Sequence, residues 1–308
     1  MTYEHIPVLQ GRVVELLARG PSGWILDATV GLGGHAQAIL EGIPESRLVG
    51  LDVDPHALDA AAKRLRRFGD RVRLVRAGFE RMDACLAELQ IKKVGGIVID
   101  LGISSLQIDA ALRGFSYRHE GPLDMRMDPE SQRKAADLIN AAPEKEIEEV
   151  LRRYGEERAA RRIARAIVKR RRRAPLRTTT DLAAVVRSCS TGRRPVSALA
   201  RVFQGVRMWV NGELENIQQA LRRSLGVLAP GSVLVVLSYH SLEDRMTKQF
   251  FRRQVEGCVC PPDLPRCGCG FVAGFRLLTR RAVRPSAAEI DANVRARSAR
   301  LRALQRVE

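Results

Sequence analysis

Between residues 24 and 105, short apolar runs alternate with amphipathic stretches, and Gly, Asp or Pro residues separate them. This alternation predicts strand-then-helix units and therefore a parallel sheet covered by helices. The predicted strands have apolar centres, which is typical of strands buried on both faces of a doubly wound sheet. The predicted strands are 24–28, 47–51, 72–76 and 96–101, and the predicted helices are 35–40 and 55–67.

Residues 109–207 lack strand signals and show helical periodicity with a strong basic bias. Thr178-x-x-Asp181 is typical of a capping box at the start of a helix. Residues 158–173 hold nine Arg or Lys and keep an apolar face at helical spacing. One side of this predicted helix therefore packs and the other is cationic. The apolar run at 233–237 then resumes the sheet.

This order of elements predicts two domains built from a discontinuous chain. Residues 1–108 and 208–308 form an α/β, Rossmann-like core, and residues 109–207 form an inserted, all-helical domain. We expect the arginine-rich tail after residue 275 to supply a last strand and a terminal helix.

The composition predicts a folded chain with a polyanionic partner. Of 308 residues, 45% are apolar and 28% are charged, which excludes an intrinsically disordered protein. The net charge of +17 favours nucleic acid as the partner. The sequence shows no signal peptide and no apolar run of membrane-spanning length, so we expect a soluble, cytoplasmic protein without a membrane partner. Six Cys in a chain of this length exclude a disulfide-rich secreted scaffold.

A glycine-rich turn follows the first predicted strand. Gly31, Gly33 and Gly34 permit positive φ angles and let the backbone approach a ligand closely, which is typical of nucleotide-type cofactor sites. An ordinary turn between a strand and a helix is the alternative. Asp52 ends the second strand 19 positions after Gly33, where such a fold presents an acid to ribose hydroxyls.

Three further side chains bear on the kind of cofactor. Asp27, inside the first strand, suits a cationic ligand such as S-adenosylmethionine and repels the pyrophosphate of a dinucleotide. Its alternative role is to cap the glycine turn. Phe79 follows the third strand and either covers an adenine ring or belongs to the core. Asp100 ends the fourth strand at the edge where ligands bind in open α/β folds, with a satisfied loop carboxylate as the alternative.

Several rare strings occur in one order along the chain: His5-Ile-Pro-Val-Leu, Asp27-Ala-Thr-x-Gly-x-Gly-Gly-His35, Asp52-x-Asp54-Pro, Asp100-Leu-Gly-x-Ser-Ser-x-Gln107, Gly121-Pro-Leu-Asp-Met-Arg-Met-Asp128 and Ser238-x-His-Ser-Leu-Glu-Asp-Arg245. Over nearly its whole length the chain resembles the RsmH (MraW) family of S-adenosylmethionine-dependent methyltransferases. The resemblance implies a class I methyltransferase sheet with a helical insertion and S-adenosylmethionine as cofactor. It also implies methylation of N4 of a decoding-region cytosine in small-subunit (16S) rRNA.

The resemblance implies cofactor contacts at Gly33, Gly34, His35, Asp52, Phe79, Asp100 and Gln107. Asp100 and His240 are the candidate catalytic residues, because either side chain can accept hydrogen bonds from the reacting amine; His240 can instead hold its own loop. The sequence lacks the Pro-Pro-aromatic motif of many amino-group methyltransferases and has Asp-Leu-Gly at that place.

Two positions depart from the family pattern: Tyr239 stands where Phe is usual, and Gly212 replaces an Asp.

The basic stretch 158–173 is the candidate surface for rRNA phosphates, with a merely solvated face as the alternative. An aromatic content of 5% argues against extended base-stacking platforms, so we expect recognition to depend on rRNA shape in the assembled small subunit. The sequence does not determine the oligomeric state, and a homodimer stays open.

Four cysteines within twelve positions form a candidate zinc site: Cys258, Cys260, Cys267 and Cys269. Their C-x-C spacing is less diagnostic than C-x-x-C, so an unliganded or redox-labile loop is the alternative. Cys85 and Cys189 are predicted core thiols.

Two other functions compete with a catalytic rRNA methyltransferase. A non-catalytic rRNA-binding assembly factor would keep the fold and the basic helix without turnover. An NAD-linked dehydrogenase would share Asp52, but Asp27 and the basic insertion disfavour it.

Overall fold

The structure is a computed structural model that describes residues 7–104, 107–108, 110–189, 195–256 and 273–307. The chain divides into two compact units, Met1–Gly102 with Asn216–Glu308, and Ile103–Glu215. In the described part of the chain, no helix combines the length and apolarity needed to cross a membrane.

The first unit is built on a seven-stranded sheet. Its strands are β1 (Trp24–Asp27), β2 (Arg47–Asp52), β3 (Val72–Arg76), β4 (Val94–Asp100), β5 (Leu228–Ser238), β6 (Phe275–Leu277) and β7 (Arg300–Arg306). They lie in the order β3-β2-β1-β4-β5-β7-β6. Strands β1 to β5 pair in parallel, whereas β7 is antiparallel to both of its neighbours. This sheet confirms the predicted Rossmann-like α/β core.

The central strands form because their side chains are buried on both faces. In β4 every residue before the terminal Asp100 is buried, and the apolar run of β5 is buried to the same degree. The four strands predicted between residues 24 and 101 agree with the structure to within two residues at each end. The apolar runs of β1, β2 and β4 are buried as predicted, whereas β3 lies at the edge of the sheet, contains two arginines and has no buried residue.

The helices of the sheet-containing unit are α1 (Gln10–Leu17), α2 (Gly34–Gly42), α3 (Pro55–Leu65), α4 (Met82–Glu88), α10 (Glu213–Val227), which begins in the other unit, α11 (Ser241–Val255) and α12 (Ala287–Ala292). Helix α3 begins where the sequence signals it: Asp54 accepts a hydrogen bond from the N–H of His56 at 3.0 Å, and Pro55 occupies the first helical position.

The described chain does not end on the predicted helix. Its last element is β7, which pairs antiparallel with β5. Leu301 and Ala303 are fully buried at a spacing of two, which is the period of a strand. Between them, Arg302 binds Asp244 of α11 at 2.7 Å. Arg300 and Arg302 thus lie on the opposite face of the strand from Leu301 and Ala303, where the carboxylate of Asp244 binds both.

The second unit is helical, with α5 (Ala135–Asn140), α6 (Glu144–Arg153), α7 (Ala160–Arg171), α8 (Thr179–Cys189) and α9 (Pro195–Asn211). The predicted capping box is present at the start of α8: Thr178 Oγ1 accepts from the N–H of Asp181 at 3.1 Å, and Asp181 Oδ2 accepts from the N–H of Thr178 at 3.0 Å. In α7, Ile163 and Ile167 are buried in the core of this unit, so the apolar face of the basic helix packs as predicted.

The borders of the two units differ from the predicted borders of the insertion. The sequence placed the insertion at 109–207, whereas the compact helical unit spans Ile103–Glu215. At the second border, Arg207 donates two hydrogen bonds to Glu213, at 2.7 and 2.8 Å, and both side chains are largely buried. This pair keeps the first residues of α10 with the helical unit. The role of this unit in substrate recognition stays a prediction.

Candidate active site

Three carboxylates mark one edge of the sheet. Asp27, Asp52 and Asp100 are the last residues of β1, β2 and β4. The strand order reverses between β1 and β4, since β2 and β3 lie on one side and β5 on the other. Ligands of open α/β sheets bind outside the carboxyl ends of the strands at this switch point.

The glycine turn between β1 and α2 has the backbone that its sequence predicts. Gly31 and Gly33 have positive φ angles of 50° and 79°. A Cβ on Gly33 would lie 3.3 Å from Cα of Ala61, and one on Gly34 would lie 2.5 Å from Cγ of Pro7. Glycine is therefore required at Gly33 for both its backbone angle and its close packing against α3.

Asp52 holds this turn in place. Its Oδ2 accepts a hydrogen bond from the N–H of Gly31 at 2.9 Å, and its Oδ1 accepts one from the N–H of Asp54 at 2.9 Å. Burial raises the pKa of Asp52 to about 6, against the opposing effect of these backbone donors. Carboxylate oxygens retain further acceptor capacity, so the side chain can still bind hydroxyl groups.

Asp27 is a buried acid with one free oxygen. Only 1% of the residue is exposed. Its Oδ1 accepts from the N–H of Thr29 at 3.2 Å, whereas the buried Oδ2 has no hydrogen-bond partner among the described residues. Burial raises the pKa of Asp27 to about 7. Oδ1 of Asp27 thus caps the glycine turn, which was the alternative role predicted for this residue. Oδ2 remains available to a hydrogen-bond donor or a cation.

His35 and Asp100 approach each other across the turn. Nε2 of His35 lies 3.5 Å from Oδ2 of Asp100, within ion-pair distance. Burial lowers the pKa of His35, but the carboxylates of Asp100 and Asp27 outweigh this effect and raise it above the usual value. Nδ1 of His35 is buried and has no partner within the described part of the chain. The N–H of Asp100 donates to Oγ1 of Thr29 at 2.7 Å, which ties β4 to the glycine turn.

The loop after β5 brings an aromatic side chain to Asp100. The hydroxyl of Tyr239 donates to Oδ1 of Asp100 at 2.8 Å. Burial and then the neighbouring Asp100 raise the pKa of Tyr239 well above its usual value. His240 is the N-cap of α11: its Nδ1 accepts from the N–H of Glu243 at 3.4 Å, and its Nε2 lies 2.9 Å from Oε1 of Glu243. These contacts of His240 serve its own loop, and its catalytic role stays a prediction.

Two predicted cofactor residues are not joined to this cluster by a described contact. Phe79 begins a single 3-10 turn after β3 and is half-buried. Gln107 belongs to the helical unit, where it is buried and its Oε1 accepts from the N–H of Ser104 at 3.2 Å. Cys85 and Cys189 are buried free thiols, as predicted. The zinc candidates Cys258, Cys260, Cys267 and Cys269 lie outside the described residues.

Sequence reasoning missed two contributors to the site. Thr29 links the glycine turn to Asp100, and nothing in the sequence distinguishes it from an ordinary turn residue. The contact between Tyr239 and Asp100 joins residues 139 positions apart. The only signal for it was that Tyr239 departs from the residue usual in the related motif.

A model of the MraW methylase family matches residues 2–307. The chain belongs to the MraW methylase family. Among relatives of this MraW methylase, the ribosomal RNA small subunit methyltransferase H of Heliobacterium modesticaldum is 48% identical over 315 residues, covering all of both chains. The protein of the same name from Syntrophotalea carbinolica is 48% identical over 309 residues, covering 99% of this chain and 98% of its own. A crystal structure of an rRNA methylase from Streptococcus thermophilus covers 96% of this chain and 95% of its own, with 12% identity and a TM-score of 0.43.

Membership in the MraW methylase family confirms the predicted methyltransferase class and S-adenosylmethionine as the cofactor, and it excludes the dehydrogenase alternative. The residues present fit this cofactor. The buried Oδ2 of Asp27, which has no hydrogen-bond partner among the described residues, suits a cationic group. When bound, the cofactor supplies an electrophilic methyl group on a sulfonium.

Proposed function

We propose that this MraW methylase transfers a methyl group from S-adenosylmethionine to N4 of a decoding-region cytosine in small-subunit (16S) rRNA. The observation that carries the proposal is the set of three acids, Asp27, Asp52 and Asp100, at the carboxyl ends of adjacent strands around a glycine turn. The names of relatives that are 48% identical over the full chain support the choice of rRNA.

Seven residues are proposed to hold the cofactor: Gly33, Gly34, His35, Asp52, Phe79, Asp100 and Gln107. Asp52 binds the ribose hydroxyls with the acceptor capacity that its two backbone donors leave. Asp27 adds a negative charge opposite the sulfonium or ammonium group. Because burial disfavours the ionised form of Asp27, a cationic ligand gains more from this carboxylate than it would from an exposed one.

The proposed reaction depends mainly on positioning. Methyl transfer is an in-line displacement, so the amine lone pair must lie behind the methyl carbon. In cytosine this lone pair is delocalised into the ring, and acceptors for the N4 hydrogens let the nitrogen become pyramidal and lose a proton. Asp100 is the first candidate acceptor, because its carboxylate lies at the switch point. His240 is the second, although it also caps α11.

The cationic face of α7 is the proposed contact for rRNA phosphates. Arg161, Arg165 and Lys169 are exposed at a spacing of four, so they lie along one side of the helix. Not every cation is available: Arg171 donates to the carbonyls of Ile139 and Ala142, at 2.8 and 2.7 Å, and serves the fold. The remaining charges bind phosphate without reading sequence.

We also propose that the substrate is the assembled small subunit in the cytoplasm. The target base must be unpaired and accessible, because an exocyclic amine within a helix is blocked. The folded subunit presents such a base together with the shape that the cationic face recognises. Equal or faster labelling of protein-free rRNA would contradict this part of the proposal.

The deciding experiment is transfer of tritium from labelled S-adenosylmethionine to small subunits that lack the modification, followed by nucleoside analysis. Wild type should yield labelled N4-methylcytidine, and Asp100→Ala should yield none above background. A wild-type protein that binds cofactor but labels neither subunits nor naked rRNA would favour the non-catalytic assembly factor. Label on another nucleoside would leave the cofactor site intact and overturn the choice of N4.

A further inference from the structure

Tyr239 occupies a specific place beside Asp100. Strands β4 and β5 are parallel neighbours, with Asp100 opposite Leu237, so Tyr239 follows two residues beyond the paired position. Its side chain reaches back, and its hydroxyl donates to Oδ1 of Asp100 at 2.8 Å. A hydroxyl bound to a carboxylate at this distance is a strong, charge-assisted contact.

The backbone and ring of Tyr239 are themselves held. Its N–H donates to Oε2 of Glu243 at 2.8 Å, and Glu243 is fully buried in the first turn of α11. On one side of the ring is Gly102, where a Cβ would lie 3.4 Å from Cδ2 of Tyr239. The hydroxyl therefore projects from a fixed support and not from a free side chain.

Asp100 is consequently contacted through both of its oxygens. Oδ1 accepts from Tyr239, and Oδ2 lies 3.5 Å from Nε2 of His35. The hydrogen bond from Tyr239 to Oδ1 is therefore the described contact that orients the carboxylate, and the imidazole of His35 lies at ion-pair distance from the other oxygen. A site ordered in advance loses less conformational entropy on binding.

We infer that Tyr239 is a positioning residue, whose hydroxyl fixes the carboxylate of Asp100 in the orientation that binds the cofactor. The inference rests on the proposed cofactor role of Asp100 and adds a residue to which no ligand contact is assigned. The related motif usually has Phe at this position, so Tyr239→Phe removes the hydroxyl without removing a ring that the fold requires.

The test is the affinity for S-adenosylhomocysteine, measured by titration calorimetry on the full chain. Tyr239→Phe should weaken binding roughly fivefold, which corresponds to the cost of ordering one side chain when the ligand binds. Tyr154→Phe is the matched control, because the hydroxyl of Tyr154 donates to Oε1 of Glu215 at 3.1 Å in the helical unit. It should leave the affinity unchanged.

A double-mutant cycle separates positioning from a general structural effect. In the Asp100→Ala background, Tyr239→Phe should change the affinity by less than about twofold, because the hydroxyl has lost its partner. With subunit substrate, the KM for S-adenosylmethionine should rise, and kcat should fall less than in Asp100→Ala, because Asp100 is also the candidate acceptor for the N4 hydrogens. Thermal melts establish that each variant is folded.

The outcomes are distinct. An unchanged or tighter affinity in Tyr239→Phe, a full loss that persists without Asp100, or a fall in kcat with unchanged KM would each overturn the inference. Wild type that fails to bind S-adenosylhomocysteine would overturn the proposed function together with it. If wild type and Tyr239→Phe bind S-adenosylhomocysteine equally well, the inference is overturned and the proposed function stands.

Discussion

The backbone N–H of Gly31 donates a hydrogen bond to Oδ2 of Asp52 at 2.9 Å. The acid at the end of β2 therefore organises the glycine turn after β1 in addition to facing the ligand edge. This bond links the ends of two neighbouring strands and fixes the backbone of the turn. Asp52 therefore both shapes the glycine turn and is proposed to bind the cofactor.

Substitution of Asp52 should affect cofactor binding much more than the stability of the fold. Asp52→Ala should weaken S-adenosylhomocysteine binding at least tenfold, since hydrogen bonds to a charged acceptor contribute about 1.5–3 kcal/mol. The loss of acceptors for Gly31 and Asp54 destabilises the fold, but removal of a buried charge offsets it, so the melting temperature should change little. Asp59→Ala, on the exposed face of α3, is the control. Equal affinities of the two variants would refute the ribose role.

Gly33 should be intolerant of a side chain for two separable reasons. A left-handed φ costs a residue with a Cβ about 1–2 kcal/mol, and Gly33 also approaches Cα of Ala61 closely. Gly231→Ala is the matched control: its φ is 76°, and the nearest atom to an added Cβ lies 3.9 Å away. In urea denaturation, Gly33→Ala should lower the free energy of unfolding more than Gly231→Ala does. Only Gly33→Ala should also weaken cofactor binding.

The buried acid Asp27 predicts a pH-dependent stability. Its pKa is about 7 in the fold against 3.8 as the ordinary value, so the native state binds this proton more tightly than the unfolded state. The stabilising effect is full below about pH 4 and is lost as pH rises through about 7. The free energy of unfolding of wild type should therefore fall relative to that of Asp27→Asn between pH 5 and pH 8. A difference that stays constant over this range would show that Asp27 ionises normally.

The cationic face of α7 predicts a defect confined to the RNA substrate. The triple variant Arg161→Ala, Arg165→Ala, Lys169→Ala should raise the KM for small subunits and leave the affinity for S-adenosylhomocysteine unchanged. The slope of log affinity against log salt should fall by about one for each lost phosphate contact.

A control for this variant removes the same charge from the sheet-containing unit, at Lys63, Arg66 and Lys92, which are all exposed. If both triple variants bind subunits equally weakly, the effect is that of net charge alone, and α7 is not a specific contact.

The parallel sheet and its three terminal acids could be predicted from the sequence. Continuous apolar runs locate buried strands without knowledge of their neighbours, because burial on both faces requires every residue to be apolar. Once the strands are parallel, the acids that end them must share one edge. Asp27, Asp52 and Asp100 therefore come together as a consequence of local patterns and one topological rule.

The last strand and the capping role of His240 could not be predicted in this way. The arginines around Leu301 are compatible with a helix or a strand, and the choice depends on the unpaired edge of β5 and on Asp244. His240 has the chemistry of a catalytic residue, yet its position before α11 makes it an N-cap. Such outcomes depend on partners that are distant in the sequence.

The sequence by itself determined the class of fold, the glycine turn and the family, because each of these is encoded in short strings read one after another. Only the tertiary structure decided that Asp100 accepts from Tyr239 and faces His35, since the three residues come from separate segments of the chain. Hydrogen bonds of this kind require atoms to be placed within a few tenths of an ångström. That placement results from the packing of β4, β5 and α2 as a whole.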